Sequence, residues 1–211
     1  MKKYALPLIL VLSACIAAAC NPLAAQPDRT QYFLLAPLGS AATSVSTPST
    51  AQLSLGVGPI KFPEYLKRPG LVSRTSSDRL MVSDEKRWAE PLDQNFESIL
   101  CQNLVRLLGT QRITTYPWYA DTHIDYQVEV WVMHFEADEN GQAQLSAVWT
   151  ILDGGGHVLA SSQSSASAPI QGGDTAGSAA LSQDLGQMST QIADRIAQLN
   201  AVARPRTLAG D

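Results

Sequence analysis

The chain has 211 residues, enough for one substantial domain, with 15 basic and 19 acidic side chains and a formal charge of −4. Setting aside residues 1–14, which hold Lys2 and Lys3, the charge becomes −6. That balance argues against nucleic acid, whose binding demands a basic footprint.

A basic start, Met1-Lys2-Lys3, is followed by an apolar run and small residues. This order marks an export signal rather than part of the fold. Three readings compete for it. One is an ordinary cleaved signal, with small residues at Ala17-Ala18-Ala19 or Ala24-Ala25. A second is an uncleaved transmembrane anchor, for which residues 4–20 are short, contain Pro7 and are rich in alanine. The third is lipidation: Leu12-Ser13-Ala14-Cys15 resembles the lipobox of bacterial lipoproteins, in which the cysteine is acylated and becomes the new N-terminus. We favour the third, with Cys15 as the anchor and Cys20 as the alternative, because Cys20 lacks a large aliphatic residue three positions upstream. The next residue would be Ile16, or Asn21, and neither is the aspartate that resembles an inner-membrane retention signal. The expected location is the periplasmic face of the outer membrane. Several acyl chains on one cysteine anchor stably where a single chain holds only marginally.

Cys101 is the one cysteine within the domain, and one thiol cannot close a disulfide inside it. It lies among Leu100, Leu104, Val105 and Leu108, and reads as a buried, inert thiol.

Residues 15–31 read as lipidated cysteine and tether, 32–202 as one domain, and 203–211 as a tail. Tyr32-Phe33-Leu34-Leu35 suits a strand, and 36–51, almost wholly Ala, Ser, Thr, Pro and Gly, reads as a flexible connection. A strand at 53–57 precedes Gly58-Pro59, and Pro63-Glu64-Tyr65-Leu66 predicts a helical turn. Strands at 71–75 and 80–82 flank the polar Ser76-Ser77-Asp78 as a hairpin. Leu92, Phe96, Ile99, Leu100, Leu104 and Leu107 share one face of a helix over 92–108, with Asn103 the polar exception. Pro91 and Gly109 stand where they punctuate such a helix.

A short strand at 113–116 leads to the clearest β signal, 126–135 and 142–152, joined at Asn140-Gly141. In the second of these, Ala143, Leu145, Ala147, Trp149 and Ile151 alternate with polar residues, so one face is buried. A third strand follows over 157–166. The last helix, 175–201, carries Leu181, Leu185, Met188, Ile192, Ile196 and Leu199 as its apolar stripe. The expected fold is a single α/β domain: a mixed sheet with a long-strand meander, covered by two amphipathic helices.

Three strings, Ile60 to Leu66, Thr75 to Asp78 and Trp88-Ala89-Glu90-Pro91-Leu92-Asp93-Gln94, together resemble the PqiC/YmbA family of ABC-type transport auxiliary lipoproteins. The Trp88 to Gln94 string is the most specific. The resemblance covers nearly the whole chain; the Ala/Ser/Thr insert at 36–51, the second early cysteine and the Gly-rich turn at 154–156 depart from it. It implies a non-enzymatic, lipid-anchored accessory subunit. Its partners would be an MCE-domain periplasmic protein and an inner-membrane transporter, in a system that moves lipid and maintains envelope integrity. A homo-oligomeric ring is a further implication. Pro63, Tyr65, Leu66, Trp88, Pro91 and Leu92 match recurring family positions and read as structural: turn-setting prolines and buried apolar anchors.

No constellation in the sequence calls for catalysis, a metal or a cofactor. Gly154-Gly155-Gly156 follows a strand and precedes another, whereas a phosphate cradle leads into a helix. Asp121, His123 and Asp125 lie close together but lack a second cluster to complete a coordination set. His134 falls by alternation on the face of Tyr126, Val128, Val130 and Val132, at a strand end. No Gly-x-Ser-x-Gly elbow is present. The rival readings are a lipidated periplasmic hydrolase and a small lipid-binding carrier.

Overall fold

The computed structural model describes residues 27–203 except positions 41 and 174, so Cys15 and Cys20 lie outside the described residues. The strands are β1 (Gln31–Phe33), β2 (Ser54–Lys61), β3 (Gly70–Ser76), β4 (Arg79–Trp88), β5 (Arg112–Thr115), β6 (Tyr126–Ala137), β7 (Gln142–Asp153) and β8 (Val158–Pro169). Helix α1 spans Leu92–Leu108 and α2 spans Ala176–Ala203. Together they form the expected mixed α/β domain.

All eight strands join one mixed sheet. The meander β6–β7–β8 is antiparallel. On its other edge β6 pairs in parallel with β2, which pairs in parallel with β5. At its far end β6 also meets β3 in parallel, at Ala137 opposite Ser73. The antiparallel β3–β4 hairpin projects from there, and β1 lies parallel to the end of β4.

Helix α1 begins where the sequence places it, directly after Pro91, and ends at Gly109, whose φ of 73° suits glycine while its N–H donates to the Val105 carbonyl. Its predicted face is buried from Leu92 to Leu107. On α2 the stripe from Leu181 to Ile196 is buried, and Leu199 is half-buried. Phe96 stands edge-on to Phe62 and Phe135, with ring centroids 5.1 and 5.2 Å away. Such pairs add about 0.5–1.5 kcal/mol beyond their area burial.

Two expectations are corrected. The segment 36–51 is a strap rather than a free connection. Leu38 donates its N–H to Asn103 Oδ1 at 2.8 Å, and Asn103 Nδ2 donates to Ser189 Oγ on α2 at 3.1 Å. Farther on, the Val45 N–H and the Ser44 hydroxyl both donate to the Leu107 carbonyl, and the Thr50 hydroxyl donates to that of Leu108. These carbonyls close the last turn of α1 and have no partner within the helix. The small polar residues of the strap thus satisfy a helix end, and the polar exception on α1, Asn103, ties the strap to both helices.

The second correction concerns His134. Its pairing with β7 slips between Val132, opposite Ala147, and His134, opposite Ser146. Met133 is the extra residue of a bulge, which reverses the inward and outward alternation. His134 is therefore exposed, and Phe135 enters the core in its place.

Candidate functional site

The six positions singled out by resemblance converge on one end of the domain. Pro63 is extended and opens the 3₁₀ turn Glu64–Leu66, with the Leu66 N–H donating to its carbonyl at 3.1 Å. Leu66 is buried. Trp88 ends β4, its N–H held by the Pro69 carbonyl at 2.8 Å, and its indole is buried. Pro91 accepts the Asn95 N–H at 3.0 Å, and Leu92 opens α1 as a buried side chain. The Asn95 side chain accepts the Leu35 N–H at 2.7 Å, fixing the chain just beyond β1 against the start of α1.

Leu66, Trp88 and Leu92 line a cavity of about 260 Å³. The hairpin contributes Leu71, Val72 and Met81; the end of β6 contributes Phe135 and Ala137; the first turns of α2 contribute Gly177 and Leu181. Only Ser73, Ser83 and Lys86 bring polar groups. The Trp88 to Gln94 string also borders a second, polar cleft of about 180 Å³, where Asp93, Gln94 and Glu97 meet Pro59, Ile60 and Tyr116. Glu97 has its carboxyl raised above the usual range by burial and by neighbouring Asp93.

Tyr65 points elsewhere, into a polar cluster. Its hydroxyl lies 3.1 Å from both Glu136 Oε2 and the Met133 carbonyl. Glu136, 2% exposed, also accepts two hydrogen bonds from Arg74, at 2.8 and 3.0 Å, and the Phe135 N–H at 2.7 Å. His134 Nδ1 is 3.1 Å from the same carboxylate. Burial first, and the Glu136 charge second, push the Tyr65 hydroxyl up to about 12. The cluster clamps β3, β6 and the 3₁₀ turn together. Its charges are paired, as buried charges must be.

The other candidates stay apart. His123 and Asp125 pair at 3.2 Å in the loop before β6, while Asp125 also receives the Ser54 N–H. Asp153 accepts N–H groups from Gly155 and His157, making 153–157 the turn between β7 and β8. Burial pushes the Cys101 thiol up to about 12, so it stays protonated. Among the described residues no group of three or more His, Cys, Asp or Glu is placed to hold a metal ion. No described helix is long and apolar enough to cross a membrane.

The pocket's remaining walls escaped sequence reasoning. Leu71 and Met81 stand in a hairpin with mixed polarity, and Leu181 was legible only as part of a core stripe. Glu136 gave no distinctive signal for the polar cluster, since Gln127, Glu129 and His134 also interrupt the apolar residues of β6.

The profile of the family described as ABC-type transport auxiliary lipoprotein component matches residues 33–193, and the chain belongs to that family. Its class is therefore an auxiliary lipoprotein of ABC-type transport. Among individual proteins it is similar to Intermembrane transport lipoprotein PqiC of Escherichia coli (strain K12). The two are 27% identical over 153 residues, covering 72% of this chain and 74% of the relative. The PqiC of Shigella flexneri matches to the same degree. A crystal structure of an uncharacterised protein shares the fold with a TM-score of 0.65 at 23% identity, covering 79% of this chain and 98% of that one. Protein XCC0632 from Xanthomonas campestris does so at 0.64 and 19%, covering 82% and 100%.

Proposed function

We propose that this chain is a lipid-anchored accessory subunit of an MCE-type envelope lipid-transport system. In this reading it sits on the periplasmic face of the outer membrane, docks a periplasm-spanning partner and supports membrane integrity. The observation that carries the proposal is the family match across 33–193, reinforced by likeness to a protein named for intermembrane transport. The family positions support it in a second way. Pro63, Leu66, Trp88, Pro91 and Leu92 hold the hairpin, the 3₁₀ turn and the start of α1 in register, which is a scaffold's task. The family is named for transport rather than for a reaction, so the reading assigns no catalysis.

The anchor is Cys15, from the Leu12-Ser13-Ala14-Cys15 spacing. Cys15→Ala is expected to release the protein from membranes or stall its processing, and Cys20→Ala to do neither. The intact mass of the mature N-terminus reads this directly; a start at acylated Cys20, or at an unmodified alanine, rejects it. Docking is tested by copurification with an MCE-domain protein from mild detergent. Failure to recover one under crosslinking, with unchanged detergent resistance on deletion, removes the transport reading. Self-association into a ring belongs to the same proposal, since heterologous contacts that close on themselves give rings and a shared bilayer raises local concentration. Light scattering that returns a monomer at all concentrations leaves one-to-one docking instead.

A further inference from the structure

We infer that the cavity framed by Leu66, Trp88 and Leu92 is a binding site for a single acyl chain, and that the chain belongs to a phospholipid of the membrane beside the domain. The inference begins with volume. Apolar cavities of roughly 150 Å³ stay dry and take up a small hydrocarbon, whereas drug-sized sites begin at about 300 Å³. At about 260 Å³, this one suits one hydrocarbon chain and is too small for a whole lipid. Its lining is mostly apolar, with Leu66, Leu71, Val72, Trp88, Phe135 and Leu181; Ser73, Ser83 and Lys86 are its polar members, and no carboxylate lines it. Water in such a space has few partners, since a buried water typically makes about three hydrogen bonds.

The choice of occupant comes from where the chain leaves the domain. β1 pairs Gln31 with Lys86 and Phe33 with Trp88, and both Lys86 and Trp88 line the cavity. The segment running back to the N-terminus therefore departs beside the cavity wall. Residues 15–30 extend to at most ~55 Å at about 3.3–3.6 Å per residue, so an anchored domain stays within that reach of the bilayer. This step rests on the anchoring proposed above; the shape and lining of the cavity do not. Met81, which lines the cavity yet is 59% exposed, adds a flexible apolar side chain on its open side.

The cavity can be filled without disturbing its frame. Gly177 lies in its wall, and a side chain built there meets no atom within 4 Å. Gly177→Leu therefore places a branched side chain in open space and improves helix propensity at the start of α2.

The test uses the full chain in two arms. In the first, a fatty acid with a terminal diazirine is added in solution, illuminated, and its adducts are mapped by mass spectrometry. In the second, the same group sits on a phospholipid acyl chain in vesicles of phosphatidylethanolamine and phosphatidylglycerol, with flotation read alongside. Adducts are expected on peptides holding Met81, Trp88 or Leu181 in both arms, falling at least fivefold in Gly177→Leu. Adducts that are absent from those peptides in solution, or unchanged in Gly177→Leu, overturn the site. Pocket adducts in solution without flotation defeat the anchoring and leave the acyl site standing. Pocket adducts for Cys15→Ser in the solution arm, with none for the lipidated parent in the vesicle arm, assign the occupant to the protein's own acyl chain and overturn the phospholipid source.

Discussion

Beneath α1 and α2, β6 and β7 send Val128, Val132, Ala147 and Ile151 into a core where none retains any exposure. At the other end of the sheet, the β3–β4 hairpin lacks that alternation and its register shifts twice; Leu71 and Leu80 remain half-buried, Val82 is exposed, and so is Met81 beside an open cavity. The difference lies in what covers each region. The meander is roofed by long helices with continuous apolar stripes, whereas the hairpin projects from a single pairing of β3 with β6 and meets only the first turns of each helix. The filled end holds the fold together, and the hairpin end has volume to spare for something else.

The largest effect expected from this contrast is at Phe96. Phe96→Ala removes a ring wedged between Phe62 and Phe135 and is expected to cost about 3–5 kcal/mol in denaturant unfolding. Met81→Ala at the hairpin end is expected to stay within about 0.5 kcal/mol of the parent. Equal losses at the two positions would erase the distinction between the ends.

Glu136 sits where the two regions join. Glu136→Ala leaves Arg74 without its carboxylate and is expected to cost about 3 kcal/mol, the scale of breaking one partner of a buried pair. Replacing both by apolar residues, Arg74→Met with Glu136→Leu, is expected to recover much of that loss. A double variant no better than the single one would show that the cluster does more than clamp the hairpin to β6.

The filled end has one flaw, Asp184 on α2, fully buried with neither carboxylate oxygen hydrogen-bonded among the described residues. Burial pushes its carboxyl up to about 7 from an ordinary 3.8. Between those values the unfolded chain ionises first, so this residue's effect on stability is small below about pH 4 and increasingly unfavourable as pH rises to about 7. Asp184→Ala is therefore expected to gain on the order of 4 kcal/mol at pH 8 and little at pH 4, read from urea midpoints at both pH values. A pH-independent difference would mean that the carboxyl finds a partner on ionisation. A small gain, at most about 1 kcal/mol, is expected at Gly177, where leucine replaces glycine in the first turn of α2. A loss there would show that the cavity wall is already closed.

Much of the fold was legible along the chain. Pro91 and Gly109 bounded α1, the alternation from Ala143 to Ile151 exposed one face of β7, and the stripe from Leu181 to Ile196 oriented α2. These signals are local: a side chain's repeat along its own element sets which way it points. The candidate site was legible only as a set of positions. That Pro63, Leu66, Trp88, Pro91 and Leu92 mattered followed from resemblance, while the cavity needs walls from the 3₁₀ turn, both helices, β3, β4 and β6, elements spread over more than a hundred residues.

What the sequence determined by itself was a basic start and apolar run ahead of two early cysteines, a charge balance unsuited to nucleic acid, and the order of its helices and strands. Tertiary structure decided the rest. The bulge at Met133 exists because β6 must pair with β7 while presenting Phe135 to Phe96, and no periodicity within β6 encodes that demand. The strap over 36–51 looks like loose linker because its own side chains are small and polar. It is ordered by carbonyls at the end of α1 and by Asn103, whose partners lie more than sixty residues away in sequence. Local pattern reports a residue's preference, and only packing supplies the partner that satisfies it.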